Sequence, residues 1–218
     1  MYNPPHFQEE RTDVLHQLIR EHSLASVVTL GPDGLIANHV PLLLDPEPGP
    51  LGTLRGHISR MNPQWRDSLP HVSALAMFQG PSAYITPSWY RTREETGKVV
   101  PTYNYVVVHA HGPLTTYEDP ELLLRNVRAL TELHEAPLAK RWSVEDAPAD
   151  FIREQLKGIV GIEIPILRLE GKWKVSQNRA SADRQGVIEG LRDTGDPVSL
   201  AMADQVSSRN DQNGPNSR

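Results

Sequence analysis

A run of β-branched and aromatic residues over Val99–His111 constrains the fold most, because such a run is typical of a β-strand. Successive side chains of a strand point to opposite faces, so the run predicts two five-residue faces. One face carries Tyr103, Tyr105, Val107, His109 and His111, and the other carries Thr102, Asn104, Val106, Val108 and Ala110. Neither face is purely polar, so we expect protein to cover both.

The proline-punctuated loop before this strand carries three further aromatic side chains, Tyr84, Trp89 and Tyr90. Large rings in a loop need something to cover them. Two interpretations stay open at this point: the rings form the aromatic rim of a barrel strand, or they meet a flat ligand or a second protein surface. On the second interpretation Trp89 and Tyr90 lie partly in a homodimer interface.

His109 and His111 share a strand face, which suits metal binding if a third donor converges on them. Neither an HxxxH pattern nor an acidic partner lies nearby in sequence, so the sequence predicts no metal site.

Shorter patterns predict the rest of the fold. Strands are expected at Ser26–Leu30, Leu35–Leu44, Leu51–Ser59, His71–Gln79 and in a hairpin from Ile159 to Asn178; Asp33-Gly34 marks a tight turn. Helices are expected at Glu9–Ser23, from Asp119-Pro120 to His134, at Ala149–Leu156 and in two pieces over Ala180–Val206. Successive hairpins close most simply into an antiparallel barrel, so the predicted fold class is α+β with a β-barrel core and peripheral helices.

Length and composition indicate an ordinary globular protein. The chain has 218 residues, a formal net charge of -5 and no cysteine. We expect one domain over 1–206, with a helical C-terminal extension, and a polar, disordered tail over 207–218. No apolar run is long enough for a membrane span and the N-terminus lacks a signal-peptide pattern, so a cytoplasmic location is expected. The absence of cysteine excludes disulfides and thiolate chemistry, and the negative charge argues against autonomous DNA binding.

The segment GHISRMNPQW, residues 56–65, gives the clearest local indication of a binding site. Asn62 and Pro63 predict a helix start directly after a strand, and free backbone N–H groups at a helix start attract anions. Ser59, Arg60 and His57 converge on the same place, which predicts a phosphate cradle; the alternative is a capped connector with a solvent-facing arginine. A phosphate site beside an aromatic surface suits flavin mononucleotide (FMN).

The chain resembles the PaiB family of FMN-binding negative transcriptional regulators. The resemblance rests on MYNPPHF, ANHVPLLLD, LRGHISRMNPQW, GPSAYITPSWY, GKVVPTYNYVVVHAHG and KWKVSQNR, which occur in the family's order and spacing. It implies an FMN-binding split barrel, related to pyridoxamine 5'-phosphate oxidase and flavin reductases, that binds FMN at a homodimer interface.

The resemblance also implies which residues contact the cofactor. His39 and Val40 are expected along the flavin ring, and His57, Ser59, Arg60 and Asn62 are expected on the phosphate side. Tyr103, Asn104 and Gln177 are expected near the cofactor or the dimer interface. No catalytic base is identified.

The family's regulatory role implies DNA as a further partner, although no helix-turn-helix pattern is present. The alternative is a flavin-dependent oxidoreductase, or a haem-binding or haem-degrading enzyme in which His109 and His111 would contact the haem.

Overall fold

The computed structural model describes the backbone of residues 1–212 and the side chains of residues 1–209. Contacts divide the chain into two compact units. The first unit combines Met1–Glu10, Gln79–Val108 and the chain from Glu170 onward, and the second combines Arg11–Phe78 with His109–Leu169. Three of the four boundaries, those after Phe78, Val108 and Leu169, fall inside strands.

Nine strands and seven α-helices occur within the described residues. In chain order they are β1 (Gln8–Glu9), α1 (Thr12–Glu21), β2 (Leu24–Gly31), β3 (Gly34–Asp45), β4 (Thr53–Ser59), α2 (Gln64–Asp67), β5 (Ala74–Ile85), α3 (Arg93–Thr96), β6 (Thr102–Gly112), β7 (Thr115–Tyr117), α4 (Pro120–Glu135), α5 (Ala149–Lys157), β8 (Ile159–Pro165), β9 (Arg168–Lys174), α6 (Ser181–Asp193) and α7 (Pro197–Gln212). The predicted strands and helices are present, whereas β1 is too short to show a period in sequence. Strand β5 continues to Ile85, so Tyr84, expected in the loop, lies on a strand.

The strands of the second unit follow the order β5-β2-β3-β4-β8-β7. Each pair whose register is defined is antiparallel. Gly31 pairs with Gly34 across the turn between β2 and β3, which confirms the predicted tight hairpin. Gly34 has a φ of 122°, a backbone conformation that side chains disfavour.

A close approach between β3 and β4 shapes this unit. Leu42 pairs with Gly56, and a Cβ atom at Gly56 would lie 2.7 Å from the carbonyl oxygen of Pro41. Glycine is therefore required where the two backbones meet. Helix α4 packs on β3, β4 and β8 and buries Leu123 and Leu130 against them.

The strands of the first unit follow the order β1-β9-β6-β5. Strand β6 buries Asn104, Val106 and Val108, whereas Tyr103 is 60% exposed and Tyr105 is half-buried. The predicted alternation is confirmed, but the expectation that both faces are covered is wrong for the face that carries Tyr103.

The aromatic loop is covered by a helix of its own chain. The loop forms a 3₁₀ turn at Pro87–Trp89 that packs on α6. Two glycines of α6 admit the loop: a Cβ at Gly186 would lie 2.0 Å from the Trp89 carbonyl oxygen, and one at Gly190 would lie 2.3 Å from the Trp89 ring. Tyr90 is buried, with the Arg179 guanidinium 4.6 Å from its ring centroid. Neither Trp89 nor Tyr90 therefore needs a second protein to cover it.

The C-terminal helix is longer than the sequence predicts. Helix α7 continues to Gln212, so 207–212, expected in the disordered tail, are helical. Residues 213–218 lie outside the described part of the chain. Across that described part, no helix combines the length and apolar character that a membrane crossing needs.

We predict that Gly186→Ala destabilises the fold, although alanine in place of glycine within a helix normally stabilises by about 1 kcal/mol. The new methyl group would meet the backbone oxygen of Trp89, which cannot move aside without shifting the loop, and overpacking costs about 1–3 kcal/mol. Urea unfolding measures the change. Asp193→Ala, an exposed substitution near the end of the same helix, is the control and should stay within about 0.5 kcal/mol; a more stable Gly186→Ala variant would contradict this packing.

Candidate functional site

A cavity of about 430 Å³ opens in the second unit where β3, β4 and the start of β8 meet. This volume lies within the roughly 300–1,000 Å³ of ordinary small-molecule sites. The middle of β3, the end of β4, the turn after β4 and the junction between α5 and β8 form the lining: Asn38, His39, Val40, Pro41, His57, Ile58, Ser59, Asn62, Gln155, Gly158 and Ile159.

Five of the nine cofactor residues expected from the sequence line this cavity: His39, Val40, His57, Ser59 and Asn62. Val40 is buried and forms part of an apolar wall, whereas His39 and Ser59 are exposed. Strand β8 completes the opposite side, because Ser59 pairs with Ile159. The cavity therefore combines an apolar wall with hydroxyl, imidazole and amide groups.

The turn after β4 is held by side-chain amides. Asn62 Oδ1 accepts a 3.0 Å bond from the Gln64 amide nitrogen. The one-turn helix α2 begins one residue later than predicted, with Pro63 in place of Asn62 at its N-cap. Gln64 is 1% exposed; its Oε1 accepts from Asn38 Nδ2 at 2.9 Å, and its Nε2 donates to the Val27 carbonyl oxygen at 3.1 Å. Asn38 and Asn62 on the cavity wall are thus fixed by one buried glutamine.

Backbone N–H groups in this turn are largely used within it. The Asn62 amide donates to the Ser59 carbonyl at 2.9 Å, and the Met61 amide donates to the Ser59 hydroxyl at 3.2 Å. Together with the capped Gln64 amide, three of the donors that the sequence assigned to a phosphate cradle already have acceptors.

Arg60 is not one of the lining residues, and its side chain bonds to three segments of the chain. Its Nε donates to the Lys157 carbonyl oxygen at 2.8 Å and its Nη2 to the Ile159 carbonyl oxygen at 3.1 Å. Its Nη1 forms an ion pair with Glu118. The guanidinium thereby fixes the corner between α5 and β8 on which the cavity wall depends.

The His57 ring forms a hydrogen bond with a residue that sequence reasoning missed. Asn126 of α4 is buried, and its Nδ2 lies 3.2 Å from His57 Nδ1. An amide nitrogen can only donate, so His57 Nδ1 accepts and the neutral ring carries its proton on Nε2. Burial lowers the pKa of His57, which favours this neutral form. The sequence did contain a signal for Asn126. It is a polar residue on the apolar face of a predicted helix, three residues after Leu123 and four before Leu130.

The remaining three expected residues lie in the first unit. Asn104 is buried and donates to the Ser176 hydroxyl at 2.9 Å. Gln177 Oε1 accepts from the Val175 amide at 2.8 Å. Tyr103 is exposed, with its ring edge-on to that of Tyr84 at a centroid distance of 5.7 Å. Asn104 therefore bonds to a side chain and Gln177 to backbone, whereas Tyr103 presents an open aromatic surface.

Residues 1–168 match the protein family described as "Putative FMN-binding domain". The protease synthase and sporulation protein PAI 2 of Bacillus subtilis is 32% identical over 209 residues, which cover 96% of this chain and 98% of that protein. The chain belongs to the PaiB family. It carries that family's FMN-binding domain over three quarters of its length, as the motifs predict.

Solved structures share the fold of this PaiB-family chain. The flavocytochrome Anf3 of Azotobacter vinelandii is 9% identical with a TM-score of 0.56, covering 77% of this chain and 69% of that one. The FAD and heme binding protein of Mycobacterium smegmatis is 14% identical with a TM-score of 0.55, covering 77% and 73%. The predicted fold class, an α+β split barrel of the flavin-binding type, is confirmed.

Replacing Asn126 with aspartate should raise the pKa of His57, because a carboxylate beside the imidazole stabilises the protonated ring. The pKa of His57, which burial lowers in the unsubstituted protein, should therefore move up. NMR titration of the His57 ring, assigned with His57→Gln, measures the shift. Asn178→Asp adds the same charge at an exposed position and should leave the His57 pKa in place. An unchanged pKa in Asn126→Asp would rule out the contact.

Proposed function

We propose that the protein is a PaiB-type regulator of transcription that holds FMN in the cavity formed by β3, β4 and β8. The observation that carries this proposal is the convergence on one cavity of His39, Val40, His57, Ser59 and Asn62, which the family resemblance implies as cofactor residues. The family match supports FMN as the cofactor.

The lining suits the uncharged part of the cofactor. Val40 offers an apolar surface, and His57 offers an N–H donor from a ring kept neutral by burial. Ser59 and Asn62 add hydroxyl and amide groups that can bond to polar edges of a ligand. When bound, FMN supplies a ring system that can accept and return electrons.

The phosphate needs a cation, and the lining contains no lysine or arginine. Arg60 follows Ser59 directly and is the cation that the sequence assigns to the phosphate. We propose that Arg60 keeps its two carbonyl acceptors, Lys157 and Ile159, and exchanges Glu118 for the phosphate. Glu118 is 55% exposed at its side chain, so water can replace the guanidinium around it.

This exchange predicts opposite effects for the two members of the ion pair. Arg60→Ala should weaken FMN binding at least tenfold, since a charge-assisted bond contributes about 1.5–3 kcal/mol. Glu118→Ala frees the guanidinium and should leave FMN affinity equal or tighter. Quenching of FMN fluorescence during titration into the apoprotein measures both affinities.

An equal loss of FMN affinity in the Arg60→Ala and Glu118→Ala variants would contradict a direct contact between Arg60 and the phosphate. It would show that the ion pair supports FMN binding only by stabilising the cavity wall. The absence of saturable binding at micromolar FMN to the unsubstituted protein would overturn the flavin site itself.

We propose a homodimer, with the exposed Tyr84 and Tyr103 rings of the first unit at its interface. These two rings replace Trp89 and Tyr90 as candidates, because α6 already packs against that turn. Light scattering at micromolar protein should give twice the chain mass of 24.4 kDa, and a monomer mass would contradict this proposal.

We further propose a cytoplasmic location, which rests on sequence composition.

Six cations in the aromatic loop and around the last strand are candidates for a direct contact with DNA: Arg91, Arg93, Lys98, Lys172, Lys174 and Arg179. Four of them already contact protein groups. Lys172 donates to the Tyr2 carbonyl oxygen at 3.0 Å, and Lys174 donates to Thr102 and to the Tyr103 carbonyl oxygen. The Arg179 guanidinium lies over the Tyr90 ring. Arg91 forms an ion pair with Glu189 at 2.6 Å. Burial, then the charges of Lys172 and Arg179, lower the pKa of Lys174. Arg93 and Lys98 remain exposed.

The second candidate function is small-molecule redox chemistry with the bound flavin. It is favoured by the protein contacts that four of these six cations already make and by the net charge of -5, both of which weaken a direct contact with DNA.

A gel-shift salt series on DNA from upstream of the protein's own coding region separates the two functions. A regulator that uses Arg93 and Lys98 from both chains of a dimer neutralises about four phosphates, so log affinity should fall against log salt with a slope of roughly -4. Arg93→Ala combined with Lys98→Ala should abolish the shift. A parallel assay follows bleaching of bound flavin by reduced nicotinamide. Rapid bleaching without any shift would replace the regulator by the redox candidate.

A further inference from the structure

A second cavity, of about 580 Å³, lies in the second unit between α4 and the strands β3, β4 and β8. It is separate in its lining from the proposed flavin cavity, because the two share no residue. Its walls are mainly apolar and include Leu43, Leu44, Leu122 and Ala129. An apolar cavity of this size with a few polar groups is typical of a small-molecule site.

One polar group in this wall lacks a partner. Asn126 is 6% exposed and donates through Nδ2 to His57, but its Oδ1 is buried without a hydrogen bond. A buried amide oxygen that bonds to nothing is costly, and each such atom in a native protein calls for an explanation. A ligand donor that reached this oxygen would remove the cost.

The charged residues of the lining balance one another. Arg55 donates to Glu163 at 2.5 Å and also pairs with Asp45, which raises the pKa of its guanidinium. Arg125 adds one more positive charge, so two carboxylates face two guanidinium groups. Burial, then the charge of Glu163, raise the pKa of the Tyr117 phenol, which stays a neutral O–H group. The lining thus has no net charge to attract an ion.

We propose that this cavity is a second binding site, for a small, uncharged, largely aromatic or aliphatic molecule with one N–H or O–H donor, and that Asn126 Oδ1 accepts that donor. The apolar walls hold the body of the molecule and Asn126 fixes its orientation. The site does not depend on FMN, because it requires neither cofactor nor phosphate.

Indole and 1-methylindole test the proposal as a matched pair, since they share an aromatic body and differ in the single N–H donor. Both are titrated into the ¹⁵N-labelled full chain and followed by NMR. Indole should saturate with shifts at Tyr117, Leu122 and Asn126, and 1-methylindole should bind at least tenfold more weakly, because it leaves Oδ1 unpaired. Asn126→Leu keeps a similar volume, removes the acceptor and should bring the two affinities together.

Two further outcomes would overturn the site. Equal affinity of the unsubstituted protein for both compounds would mean non-specific apolar binding, and the absence of saturable shifts would mean no site of this kind. Should Asn126→Leu fail to fold, Leu122→Trp provides a second variant: Leu122 is 39% exposed, so a larger side chain can fill the cavity from its rim and should abolish indole binding. Indole binding that persists with a filled cavity would place the ligand elsewhere.

Discussion

The buried amide of Gln64 is the interaction on which the proposed flavin cavity depends. Its Nε2 donates to Val27 and Thr29 of β2, and its Oε1 accepts from Asn38 of β3. A helix of four residues has no stability of its own, so these bonds to two strands position the turn after β4. Without them, Asn38 and Asn62 would lose their fixed places on the cavity wall.

A second buried amide links this cavity to the apolar one. Asn126 contacts His57, which lines the flavin cavity, and itself lines the second cavity. Burying a polar side chain costs free energy unless it is hydrogen-bonded. Each of these two amides therefore stabilises the fold less than an apolar side chain of its size would, but its hydrogen bonds fix the geometry of its neighbours. The hydrogen bond between Asn126 and His57 therefore connects the two cavities, although their linings share no residue.

The sequence predicted most elements because their periods are local. Alternation along β6, the Asp33-Gly34 turn and the Asp119-Pro120 helix start each reflect a few adjacent residues, and each is confirmed. Long-range partners could not be predicted: Arg60 bonds across almost 100 residues to Lys157 and Ile159, and spacing alone gives no sign of such a contact. The helix that packs on Trp89 could not be predicted for the same reason, since it follows Trp89 by about 90 residues.

A crystal structure of the full chain grown with FMN tests the central claim most directly. We expect flavin density in the cavity lined by His39, Val40 and His57, with the phosphate at Arg60 and Glu118 turned away. Flavin bound elsewhere, with Arg60 still paired to Glu118 and this cavity filled by water, would contradict the account.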